Sequence, residues 1–192
     1  MNENLINSSF KSKLLIFVAA LGYFVDVYDL IVFSVIRTDS LRSLGFEGDE
    51  LITIGIRLMN FQMVGLLVGG ILWGVLGDKK GRVSVLFGSI LVYSGANFIN
   101  GFIDNIHLYS ALRFIAGIGL AGELGAGITL VNENLSPQKR GYGTLLIAGV
   151  GAMGAMFAQF IANLSSDPEW WRMSFKIGGA LGILLLLVRL GA

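Results

Sequence analysis

The chain contains no cysteine, which excludes a disulfide framework and thiolate metal sites, and its single histidine leaves little for imidazole chemistry. Charge is also scarce, at 14% of 192 residues. The net charge of +1 argues neither for nor against an anionic partner, and the basic residues form no stripe of the kind that nucleic acid requires. No small-residue cleavage site interrupts the first apolar stretch, which is longer than the core of a signal peptide, so it reads as a retained helix. There is no nucleophile beside a base and no metal-ligating cluster. An enzyme is therefore not expected, nor any cofactor.

What is abundant is apolar surface: 54% of the residues are hydrophobic, more than a water-soluble core of this size can hide. The expected setting is a bilayer, where a spanning helix needs about 20 mostly apolar residues. Six stretches meet or approach that length: Leu14 to Ile36, Leu51 to Gly77, Val83 to Ile103, Leu108 to Val131, Tyr142 to Leu164 and Trp171 to Val188. Residues 1–13 form an N-terminal segment and residues 14–192 a six-helix transmembrane domain, an all-α membrane protein. In the short last stretch, Lys176 is expected to snorkel outward beside Trp170 and Trp171.

Basic residues in the connections set the orientation. With the N-terminus in the cytoplasm, Lys11, Lys13, Lys79, Lys80, Arg82, Lys139, Arg140 and Arg189 fall on the inner side, against Arg37, Arg42, Arg172 and Lys176 outside. Eight against four favours that choice. The second and third stretches are joined by Gly74 to Arg82, GVLGDKKGR, a turn that needs a glycine such as Gly81 to take a positive φ.

Glycine occurs 27 times. In lipid, small residues let helix backbones approach closely, and Gly65 to Gly69, Gly70 to Gly74 and Gly178 to Gly182 have the required spacing. Two segments, Gly117 to Gly122 and Gly149 to Gly154, also match G-x-G-x-x-G. Dinucleotide binding would need a strand before each and a βαβ unit around it, whereas both lie in long apolar helices.

Ionisable residues within spans cost roughly 2.5–3.5 kcal/mol each at the helix centre, so each is a functional candidate. Five qualify: Asp26, Asp29, Arg57, Arg113 and Glu123. At about 1.5 Å of rise per residue, Asp29, Arg57 and Arg113 lie at similar depth, where a carboxylate and an arginine can form a charge-assisted pair. Gly22, Asp26, Asp29 and Phe33 recur at helical spacing and share one face. Two carboxylates this close and partly desolvated do not both ionise easily, which makes a proton a natural ligand. Glu123 has Gly119 and Gly127 a turn to either side, leaving room for a side chain or solute.

Three motifs carry a resemblance. Gly74, Asp78, Lys79, Gly81 and Arg82 fit G-x-x-x-D-[KR]-x-G-[KR]; Asp26, Tyr28 and Asp29 fit D-x-[YF]-D; and Arg113, Gly117, Gly119, Glu133, Pro137, Arg140 and Gly141 fit R-x-x-x-G-x-G followed by E-x-x-x-P-x-x-R-G. In this order they resemble the N-terminal half of the major facilitator superfamily of secondary transporters, nearest its sugar, phosphate and metabolite:proton symporters. The resemblance implies two inverted three-helix repeats forming one half of that fold. It also implies a second six-helix half, or a second copy, as partner. By the same resemblance Asp29 is the proton-carrying acid and Arg113 its partner, while Asp78, Arg82, Glu133 and Arg140 close the cytoplasmic gate. Asp26, Arg57 and Glu123 are candidates for the cavity. The expected function is proton-coupled symport of a small polar solute across the cell membrane. A membrane sensor or assembly module that has kept the fold is the alternative, and its marks would be a soluble appendage or lost gate charges.

Overall fold

The computed structural model describes residues 3–134 and 137–191, with side chains described for 17–123 and 140–190. Six helices follow in order: α1 (Glu3–Ser43), α2 (Asp49–Lys80), α3 (Arg82–Asn100), α4 (Ile106–Asn134), α5 (Pro137–Ala162) and α6 (Trp170–Gly191). Both prolines stand at helix entrances, Pro137 opening α5 and Pro168 just before α6. A missing N–H costs nothing there. Over the described residues, all of these helices except α4 have a segment long and apolar enough to cross a membrane. Much of α4's C-terminal half lies outside the described side chains.

Helix ends depart from the hydropathy boundaries. The first helix is 41 residues long and begins at Glu3, so the segment set apart as residues 1–13 is already helical from there. Hydropathy marks the part that dissolves in lipid, whereas backbone hydrogen bonding continues until something breaks it. The turn expected over Gly74 to Arg82 shrinks for the same reason: α2 continues to Lys80 and α3 starts at Arg82. Gly81 alone makes the break, at φ +85° and ψ 152°, with its N–H still donating to the Gly77 carbonyl at 3.0 Å. That φ is open to glycine at little cost.

The helices do not pack in chain order. The broadest contacts put α2 along α4, α1 along α5, and α3 against both α4 and α6. Small residues allow the closest of these approaches. A Cβ on Gly65 would overlap the Phe114 carbonyl, and one on Gly69 the Ile118 carbonyl, so α2 and α4 touch backbone to backbone. The Gly70 and Gly74 pair expected to act alike faces open space. Gly178 lies against the Tyr28 ring and Gly182 against Ser94. Both G-x-G-x-x-G segments are helical throughout; Gly119 meets Tyr93 and Gly154 the Phe24 carbonyl. Their glycines serve packing, apart from Gly149, which faces open space.

Tyr109, Trp171 and Phe175 form the aromatic centre of the main core, with Tyr109 stacked on Trp171 at 6.1 Å and Phe175 edge-on to both. Lys176 rests its ammonium over the Phe102 ring at 4.0 Å. Arg172 fastens the entry of α6 to the α3–α4 connection through Asp104 at 2.6 Å and the Ile103 carbonyl. Outward, α2 and α5 present broad apolar faces, with Leu67 70% and Met156 74% exposed.

Candidate functional site

Helix α1 brings the inward face read from its spacing into the middle of the bundle. Gly22, Asp26, Asp29 and Phe33 are all buried, with both aspartates only 1% exposed. Asp29 does not pair directly with Arg113. Asn97 of α3 stands between them, its Nδ2 donating to Asp29 Oδ1 at 2.5 Å while its Oδ1 accepts from Arg113 Nη2. An amide has a donor for the carboxylate and an acceptor for the guanidinium, so one neutral side chain joins two buried charges. Asp29 Oδ2 and Arg113 Nε and Nη1 remain without hydrogen-bond partners. The Arg113 guanidinium lies between the Phe33 and Phe175 rings, at 5.0 and 4.6 Å from their centroids. Their π faces attract the cation that water no longer solvates.

One turn further in, Asp26 is buried with neither carboxylate oxygen hydrogen-bonded. The charged groups that act on it are Glu123, Arg189 and Asp29. Glu123 is held by Arg189 of α6 in a two-pronged pair, Nη1 to Oε2 at 2.9 Å and Nη2 to Oε1. Both side chains are buried. Gly22 makes room for this pair, since a Cβ there would strike the carboxylate and the guanidinium. The space expected beside Glu123 is therefore taken: Gly119 packs on Tyr93, and Gly127 lies outside the described side chains. Arg189, counted from sequence as an inner flanking charge, folds back into the bundle.

Arg57 does not join this cluster; it is exposed on α2. Depth along a helix says nothing about direction around it, and the inward face of α2 belongs to Gly55, Leu58 and Gln62. Asp78 and Arg82, both exposed, line a groove of about 290 Å³ with Trp73, Val85 and Gly70, Gly74 and Gly77 of α2. Trp73 anchors that groove by donating to the Ile118 carbonyl at 2.6 Å. Arg140 is exposed in the first turn of α5, and the side chain of Glu133 lies outside the described residues.

Asn97 and Arg189 were not singled out from sequence. Asn97 had a signal: Ser89, Tyr93, Asn97 and Asn100 recur at helical spacing along α3, and all are buried. A polar stripe in an apolar helix has to face a partner.

The family model described as Major Facilitator Superfamily matches residues 15–191. The chain is 29% identical over 189 residues to the niacin transporter of Acinetobacter baylyi, covering 97% of this chain and 41% of that protein. It is 31% identical over 158 residues to the gentisate transporter of Corynebacterium glutamicum, covering 79% and 34%, and 26% identical over 177 residues to the sialic acid transporter of Escherichia coli, covering 92% and 43%. It spans about two fifths of the length of such relatives. Among solved structures, the proton:xylose symporter XylE bound to 6-bromo-6-deoxy-D-glucose superposes with a TM-score of 0.80 at 20% identity, over 96% of this chain and 45% of the other. At that identity the likeness shows the fold.

Proposed function

The chain belongs to the Major Facilitator Superfamily, and from that premise we propose that it is the N-terminal half of a proton-coupled symporter moving a small polar solute by alternating access. The observation that carries this reading is the buried Asp29–Asn97–Arg113 bridge. A proton arriving on Asp29 removes the charge that strengthens its bond to Asn97 and loosens the hold on Arg113. The two protonation states then favour different arrangements of α1, α3 and α4, and differential binding moves the equilibrium between outward and inward forms. The named relatives carry niacin, gentisate and sialic acid, all carboxylic acids, so a small organic acid is the solute class proposed here.

The finer architecture belongs to the same proposal. Exchanging α1 with α4, α2 with α5 and α3 with α6 converts the α1–α5 packing into α4–α2 and returns α3–α6 to itself. Those are among the broadest contacts in the bundle, which supports two inverted three-helix repeats within a six-span domain over residues 14–192. The distribution of basic residues supports an N-terminal segment, residues 1–13, on the cytoplasmic side. Asp78, Arg82, Glu133 and Arg140 then guard the inner side. Asp26 and Glu123 are sealed inside the bundle, whereas exposed Arg57 is able to meet a solute between this half and its partner.

The test is uptake into proteoliposomes by the complete transporter, using labelled nicotinate, gentisate and sialic acid with an inward-directed proton gradient. The expected result is saturable accumulation of at least one acid. The Asp29→Asn variant should lose gradient-driven accumulation at least tenfold while keeping solute exchange at equal concentrations. If Asp29→Asn accumulates solute against its gradient as well as the unaltered protein, the coupling role assigned to Asp29 is wrong.

A further inference from the structure

Among the described residues, the five buried carboxyl and guanidinium groups of the core do not balance. Asp26, Asp29 and Glu123 face Arg113 and Arg189, three carboxyl groups against two guanidinium groups. Glu123 and Arg189 satisfy each other through two hydrogen bonds, and Asp29 is tied to Arg113 through Asn97. Asp26 is left over, with both oxygens buried and unpartnered. The Tyr93 hydroxyl of α3 is likewise buried without a partner.

The geometry points to Asp26 as a second proton-binding site, distinct from Asp29 and occupied in the conformation described here. The inference rests on the coupling reading above and adds to it which acid holds the proton while Asp29 is engaged. Asp29 lies on the same helix as Asp26, Tyr93 comes from α3, Glu123 from α4 and Arg189 from α6, and no described group of α5 acts on Asp26. Only Arg189 among these is a cation; its two Nη groups are committed to Glu123, and its Nε makes no hydrogen bond to Asp26. A bare carboxylate at Asp26 would thus be a buried charge with no counterion of its own and no hydrogen bond to a described group, an arrangement proteins avoid by binding a proton. With one proton on Asp26 the cluster is neutral, Asp26 gains an O–H, and the other carboxyl groups remain carboxylates. Release of that proton has to wait for water to reach the site, which ties the proton to the opening step of the cycle. Asp26 and Asp29 stand three residues apart on one face of α1, so a proton entering at one has a short path to the other.

Infrared difference spectroscopy of the complete protein in detergent reads this directly, through the C=O stretch of a protonated carboxyl group and its shift in heavy water. At neutral pH the unaltered protein should show one such buried-carboxyl band. Asp26→Asn should abolish the band and Asp29→Asn should retain it. Because Asp26→Asn could also disturb packing, Glu123→Gln provides an independent arm. It leaves two carboxylates facing two guanidinium groups, so Asp26 should ionise beside the released Arg189 and the band should disappear although Asp26 is intact. A band that survives Asp26→Asn and vanishes in Asp29→Asn would place the proton on Asp29 and overturn the inference, as would a band unchanged by Glu123→Gln. These readings need no transported solute. Absence of proton-driven uptake alongside the expected bands would therefore sink the symport reading and leave the proton site standing.

Discussion

Asn97 is the residue on which the centre of the molecule depends, because a single amide satisfies a buried carboxylate and a buried guanidinium at once. Removing one partner from a buried charged network costs about 3–5 kcal/mol, since the charges left behind have lost both water and each other. Asn97→Leu, close in size and apolar, is therefore expected to lower the melting temperature of the detergent-solubilised protein clearly, as followed by tryptophan fluorescence. An unchanged melt would mean that Asp29 and Arg113 reach each other without help. Asp29 and Arg113 were legible in the sequence because charge within a span is expensive enough to stand out. Asn97 was less so, being polar without being charged. Arg189 was hidden for a different reason: a flanking arginine and one reaching back a full turn look the same until the direction of the long side chain is known. Arg57 is the reverse case: its position along α2 is readable from sequence, but the direction in which it faces, away from the buried cluster, is not.

At the scale of the helix, glycine spacing gives candidates and packing chooses between them. Gly65 and Gly70 lie on the same helix in the same kind of pattern, yet one touches the backbone of α4 and the other touches nothing. Gly65→Val is expected to cost about 1–3 kcal/mol through overpacking, because the neighbour is a carbonyl that cannot rotate aside. Gly70→Val should fall within about 0.5 kcal/mol of the unaltered protein, as for an exposed position away from any special feature. Parallel thermal melts of the two variants check the contrast, and equal losses would show that α2 and α4 do not meet at Gly65. The number and order of the helices were readable from hydropathy, which reports lipid solubility. Their ends were not, because α1 and α2 carry hydrogen-bonded backbone past the apolar stretch until Gly45 at φ +89° and Gly81 at φ +85° interrupt it.

At the scale of the whole molecule, the largest unmet demand is on α2 and α5. Ile52, Leu67 and Ile71 on α2, and Leu145, Met153, Met156 and Phe160 on α5, stand outward while the charged cluster is closed off behind α1. Lipid or a second protein body can cover such apolar side chains. The relatives are more than twice as long as the matched part of this chain, which makes a further six-helix body the expected partner. Native mass spectrometry of the particle released from detergent should therefore find this chain within a twelve-helix assembly, joined to or bound by a half of different sequence. A stable particle of two identical chains would change the mechanism itself. Two copies each of Asp26, Asp29 and Arg113 would then flank one solute path, the balance of charges would repeat on both sides, and two to four protons instead of one or two would be available for each solute carried.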